Sequence, residues 1–241
     1  MNTPHFNTYS QSLAVSQPTV GLLAYYKLNN DLTDSVGVNH ATTENTTFVS
    51  RLSGYALNYN VVQSRLTIPF STDFDFFNGG NDLPFSVSMI IKYNFTVTDV
   101  YFAGNYRANS NASWLLFSSG TKLRLNLWDQ YGKWIRVEVT HGFSSLQYHS
   151  LTMTYDGSSS GVGIKIYVDG VELSKTITLN GVYSSQTATS TDRDIVICTR
   201  SWQASSTIRG NVDDVAIWNK ELTPLEVTDV HDKTINGIEL I

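Results

Sequence analysis

From Gly21 onward, apolar and polar residues alternate in short runs separated by clusters of Asn, Asp, Gly and Ser. Period-two runs cut by turn formers predict β-strands throughout, in a two-sheet antiparallel sandwich or a barrel. The run Phe85–Tyr93 puts Phe85, Val87, Met89, Ile91 and Tyr93 on one face and Ser86, Ser88 and Lys92 on the other. It predicts a strand with one buried side.

Two other segments predict a hairpin with a definite register. Lys122–Trp128 and Trp134–Thr140 flank a five-residue connection. If Trp128 faces Trp134, then Leu127 opposes Ile135, Leu125 opposes Val137 and Leu123 opposes Val139 on the inner face. On the outer face Asn126 meets Arg136 and Arg124 meets Glu138, so apolar pairs with apolar and opposite charges meet. A second hairpin joins Ile164–Val168 to Val171–Leu173 through Asp169-Gly170, a dipeptide that accepts the positive φ angles of a type I′ turn. One helix is expected: Thr223 is its N-cap, Pro224 its first residue and Glu226 closes a capping box, with an end near His231.

The 241 residues are 41% hydrophobic and 12% aromatic, enough to build the core of one large all-β domain. Sixteen Lys and Arg against twenty-one Asp and Glu give a net charge of −5, which argues against nucleic acid as a partner. The single cysteine, Cys198, excludes an intrachain disulfide and suits a core position. No stretch has the length and apolarity of a membrane span, and the first residues lack the basic and apolar regions of a signal peptide, so the reading is a soluble chain that does not insert into a membrane. Residues 1–20 are polar, carry Pro4 and Pro18, and read as an arm or linker that orders on a partner; residues 21–241 form the domain.

Four segments carry a family pattern: Ala24–Ser35, Gly54–Tyr59, Tyr148–Asp156 leading to Ile166–Gly170, and Gly210–Glu226. In order and spacing they resemble the laminin G-like domains of the concanavalin A-like lectin superfamily, close to its pentraxin-like group. The resemblance implies a jelly-roll sandwich with one short C-terminal helix. Such folds serve glycan-binding modules, adhesins, phage structural proteins and some glycosidases, so the fold alone does not assign a function.

The glycan-cleaving relatives carry a Glu-x-Asp-x-x-Glu strand, which brings acid and nucleophile to one bond. It is absent here, and Asp213-Asp214, as consecutive strand residues, are expected on opposite faces. No helix-spaced His motif or Gly-x-Ser-x-Gly elbow occurs, and Gly157–Gly163 reads as a flexible connection. Many relatives hold a calcium ion between the first loop and the last long strand; by that resemblance Asn30, Asp31, Asp34, Asp213 and Asp214 are the candidate ligands, the alternative being that these side chains bond nearby backbone. For ligand contact the candidates are Trp128 and Trp134 on the outer hairpin face, with Arg124, Asn126 and Arg136 beside them, and Trp202 in a polar loop. Tryptophans beside hydrogen-bonding groups suit the apolar face of a sugar; the same face also suits packing against a loop or another subunit. Trp114 is expected in the core and Trp218 under the helix.

The leading expectation is a non-catalytic module that recognises carbohydrate or a cell or particle surface. The alternative is a structural subunit of a phage or viral particle, homo-oligomeric or anchored in a larger assembly through residues 1–20. Location on a virion or an extracellular surface is compatible with either.

Overall fold

The computed structural model describes residues 16–61, 63–78, 80–93, 99–105, 113–129, 131–144, 146–186, 194–198 and 209–241. In chain order the strands are β1 (Leu22–Tyr26), β2 (Thr42–Glu44), β3 (Thr47–Arg51), β4 (Gly54–Tyr59), β5 (Arg65–Ile68), β6 (Phe77–Asn78), β7 (Asn81–Asp82), β8 (Phe85–Tyr93) and β9 (Asp99–Gly104). They continue with β10 (Trp114–Ser119), β11 (Lys122–Trp128), β12 (Trp134–Thr140), β13 (His149–Tyr155), β14 (Ile164–Val168), β15 (Val171–Glu172), β16 (Lys175–Asn180), β17 (Ile195–Ile197) and β18 (Gly210–Trp218), followed by α1 (Pro224–Ile235).

Two antiparallel sheets face each other, with non-consecutive strands as neighbours in both. The first runs β15-β14-β13-β8-β18-β4-β3, with β1 also on β18; the second runs β16-β12-β11-β10-β9-β17-β5-β2. Their inner faces share one core, to which β11 gives Leu123, Leu125 and Leu127, β8 gives Phe85, Val87, Met89 and Ile91, and β18 gives Val212, Val215 and Ile217. Trp114 lies in it, as the alternation of its strand implies, and Cys198, just past β17 with a φ of 68°, joins Ile195 and Ile197 there.

The β11–β12 register matches the expected one at every pair, from Lys122 opposite Thr140 to Trp128 opposite Trp134. Asp169 and Gly170 both take positive φ, 50° and 76°, as a type I′ turn requires. The Thr223 hydroxyl accepts from the Glu226 N–H while the Glu226 carboxylate accepts from the Thr223 N–H, closing the capping box.

Three expectations are corrected. Strand β8 is buried on both sides, not one, because α1 and the chain leading into it cover the outer face of the first sheet. Ser86 accepts there from the Leu222 N–H and donates to the Lys220 carbonyl, while Ser88 bonds Thr152. The helix runs to Ile235, one turn beyond His231, because its buried stripe continues through Val230 to Thr234, whose hydroxyl donates to the Val230 carbonyl. The segment Gly157–Gly163 is fastened rather than loose: the Ser159 N–H donates to the Tyr155 hydroxyl, which donates to the buried Asp82 carboxylate, and a Cβ at Gly163 would meet Asp156 Oδ1 at 1.8 Å.

Of the expected arm, residues 1–15 lie outside the described residues. Residues 16–20 rest on the domain: the Trp218 indole donates to the Pro18 carbonyl and Ser16 donates to Asp229.

Candidate functional site

Two places gather charged and aromatic side chains. The first lies under the C-terminal end of α1. Strand β18 pairs with β8 through Asp213 opposite Ile90 and Ala216 opposite Ser88, so β18 carries one extra residue there. Asp214 absorbs this bulge with a φ of 49°. The bulge corrects the expectation of opposite faces: both carboxylates turn to the same guanidinium. Arg51 Nη1 lies 2.8 Å from Asp213 Oδ2 and 3.5 Å from Asp214 Oδ2.

Arg51 Nη2 donates to the carbonyls of Thr234 at 2.8 Å and Ile235 at 3.1 Å, so the same side chain satisfies the end of α1 and complements its dipole. Tyr148 covers the guanidinium, with Cζ 5.0 Å from the ring centre, and the Tyr25 hydroxyl donates to Asp214. One buried cation faces two buried carboxylates. Burial, then the charge of Asp214, push Asp213 up to about 8; burial pushes Asp214 up to about 6. A polar cavity of about 350 Å³ adjoins this cluster, lined among others by Asn29, Gly54, Tyr55 and Glu239.

The calcium donors expected from the resemblance are committed elsewhere. Asp34 is buried and its carboxylate accepts from the N–H groups of Tyr25, Val36 and Asn39, holding the first loop closed. Asp31 accepts from the Thr33 N–H in an exposed turn, and Asn30 is exposed with a φ of 64°. Asp213 and Asp214 serve Arg51. Among the described residues, no three His, Cys, Asp or Glu side chains gather as metal ligands. These donors do not fit a calcium cage.

A serine–histidine pair lies beside α1, with Ser150 Oγ 2.8 Å from His231 Nδ1. Asp169, the carboxylate next to it, bonds His149 Nδ1 at 2.7 Å and the Ser150 N–H, so it does not orient His231. Ser150 is buried. The arrangement ties β13 to the helix and lacks the exposed nucleophile and oriented base of a hydrolytic relay.

The second place is the outer face of β10, β11, β12 and β16. Since Leu123, Leu125 and Leu127 point inward, Arg124, Asn126 and Trp128 point outward, opposite Glu138, Arg136 and Trp134. Arg124 Nε donates to Glu138 at 2.7 Å and Arg136 Nε to the Asn126 side-chain oxygen at 2.9 Å. The Arg136 guanidinium stacks 4.7 Å from the Trp134 ring centre. Trp128 packs on a small outer cluster of Tyr101, Leu115 and Phe117. Both arginines lie 5.9 Å from the Phe117 ring. The exposed Thr176, Thr178 and Asn180 of β16 stand opposite Glu138, Arg136 and Trp134, extending the face with hydroxyl and amide groups.

The structure therefore brings together Arg124, Asn126, Trp128, Trp134 and Arg136, with the tryptophans and arginines half-buried and Asn126 beneath them. Trp202 lies outside the described residues. The outer cluster escaped the sequence reading; its signal was Trp114–Phe117, where consecutive apolar residues supply both faces of β10. Arg51 also escaped, since its partners lie 162 and 183 residues away.

Among the described residues no helix is long and apolar enough to cross a membrane. No curated protein sequence matches the chain. Solved structures with the same fold include the receptor binding domain of botulinum neurotoxin type G, at 18% identity and a TM-score of 0.59 over 88% of this chain and 51% of that one. The binding domain of Paraclostridial Mosquitocidal Protein 1 superposes at 14% identity and 0.70, over 90% and 53%. Domain 4 of AbnA, a GH43 extracellular arabinanase from Geobacillus stearothermophilus in complex with arabinotriose, does so at 20% identity and 0.57, over 87% and 98%. This chain thus spans about half the length of the toxin domains and nearly all of the arabinanase domain. The model of the concanavalin A-like lectin/glucanases superfamily matches residues 64–228, more than half of the sequence, and the chain belongs to that superfamily.

Proposed function

We propose that this domain is a non-catalytic recognition module that binds carbohydrate through the outer face of β11 and β12. The observation that carries the reading is the face itself. Trp134 and Trp128 stand opposite each other on the side away from the core, half-exposed, with Arg124, Asn126 and Arg136 fixed beside them by hydrogen bonds. An aromatic ring flanked by oriented donors meets both demands of a sugar, an apolar ring face and peripheral hydroxyls. The neighbouring fold of a domain in complex with arabinotriose and of toxin receptor binding domains supports a binding role.

The other cluster suits recognition less well. Arg51, Asp213 and Asp214 pair with one another in the interior, Arg51 Nε being without a hydrogen-bond partner among the described residues, with side chains only 3%, 4% and 7% exposed, so a ligand would have to break that arrangement to reach them.

An oligosaccharide array followed by calorimetry tests the proposal. Saccharide binding that falls about tenfold or more in Trp134→Ala, with the fold retained by circular dichroism, is the expected result. Saccharide binding unaffected by Trp134→Ala, or release of reducing sugar by the purified chain, would overturn it.

A further inference from the structure

The outer face carries more positive than negative charge although the whole chain is acidic. Among the described side chains of β10, β11, β12 and β16, Lys122, Arg124 and Arg136 share it with Glu138, which is already engaged by Arg124 at 2.7 Å and Lys122 at 3.6 Å. Glu138 is accordingly held below the usual carboxylate range, first by the Arg124 hydrogen bond. Among the described residues no carboxylate forms an ion pair with Arg136.

The setting of Arg136 is specific. Its Nε is used by Asn126, a buried side chain that fixes the plane of the guanidinium. One face of that plane is supported by Trp134. Among the described residues the Nη1–Nη2 edge has no hydrogen-bond partner. An oriented guanidinium with its outer edge free matches a planar two-oxygen acceptor, which a carboxylate is and a neutral hydroxyl is not. Burial and the neighbouring Arg124 both disfavour the charge on Arg136, and a bound anion offsets both. On the adjoining strand, the exposed Thr178 stands opposite Arg136 and the exposed Asn180 opposite Trp134, adding a hydroxyl and an amide beside the guanidinium and the ring.

Building on the carbohydrate-binding reading above, we propose that the ligand is an acidic glycan whose carboxylate is held by Arg136 while its sugar ring rests against Trp134. Neutral saccharides retain the ring contact and lose the charged one.

The test compares matched ligands on the full chain by calorimetry at low salt: neutral oligogalactosides, oligogalacturonides of equal length, and sulfated oligogalactosides. The uronides are expected to bind roughly tenfold tighter than the neutral series, one charge-assisted contact's worth. The advantage should shrink as salt rises. Arg136→Gln should abolish it while leaving the weaker neutral binding in place, and Arg136→Lys, which keeps the charge without the fork, should keep only part. Retained melting temperatures in both variants separate this effect from loss of fold.

Equal affinity for neutral and uronide series, or a uronide advantage that survives Arg136→Gln, overturns the acidic-ligand proposal and leaves the recognition reading standing. Preference for the sulfated series alone overturns the carboxylate assignment. Absence of binding to all three series counts against both proposals.

Discussion

Arg51 and Arg136 each stack on an aromatic ring, and their surroundings differ in nearly every other respect. Arg51 lies inside, with two carboxylates, two helix-terminal carbonyls and Tyr148 around it. Arg136 lies on an outer sheet face, with one amide oxygen and Trp134. The first is sealed by partners that the fold itself provides, so its interactions stabilise structure. The second keeps unspent hydrogen-bonding capacity at a half-exposed position, so its interactions are available to a ligand. Commitment to internal partners, rather than residue type, separates a structural arginine from a recognition arginine.

The comparison breaks most readily at Arg51. Arg51→Ala strands Asp213 and Asp214 in the interior and uncaps the end of α1, and should cost on the order of 3–5 kcal/mol at neutral pH. Urea unfolding measures this; a cost below about 1 kcal/mol would mean the cluster is solvated and open to ligands. Saccharide binding by the variant, where it remains folded, should be unchanged.

The pH dependence of stability follows from the same cluster. Both aspartates have folded-state pKa values above their unfolded ones, so the native state holds a proton that the unfolded chain releases. The contribution is therefore full below the unfolded carboxylate range, declines as pH rises from there, and is gone once pH passes about 8. The melting temperature should fall across that interval, and Asp213→Asn should flatten the fall. Saccharide affinity should stay level over the same range, since Arg136 remains charged.

These effects come from parts of the molecule that the sequence reveals unequally. The β11–β12 register was legible because both strands alternate strictly and end on tryptophans, so one assumed pair determined the others. Asp169-Gly170 and the capping box were legible because each is a local chemical requirement met within a few residues. The bulge was not: an aspartate in the left-handed region carries no sequence mark, and without the bulge alternation sends Asp213 and Asp214 to opposite faces. The two-sided burial of β8 was hidden because its cover, α1, lies far along the chain. Of the proposed recognition face, the residues on β11 and β12 were legible from the hairpin, whereas Tyr101, Phe117 and the β16 threonines depend on strand order that local patterning does not encode.

Smaller effects sharpen the contrast. Trp134→Ala should lower saccharide affinity about tenfold while costing roughly 1 kcal/mol of stability, because the ring is only half-buried. Thr223→Ala removes the N-cap of α1 and should cost about 1 kcal/mol in urea unfolding, with no change in binding. A cap variant that weakened binding would place the ligand near the helix and the Arg51 cluster.

The most direct test is to map, by backbone and side-chain NMR shifts of the ¹⁵N-labelled chain, where an oligogalacturonide lands. The account predicts that the Trp134 indole N–H, the Arg136 Nε–H and the Thr178 and Asn180 amides move together and saturably. Shifts confined to Gly54, Tyr55, Asp213, Asp214 and Glu239 around the polar cavity, with the hairpin face unmoved, would contradict it.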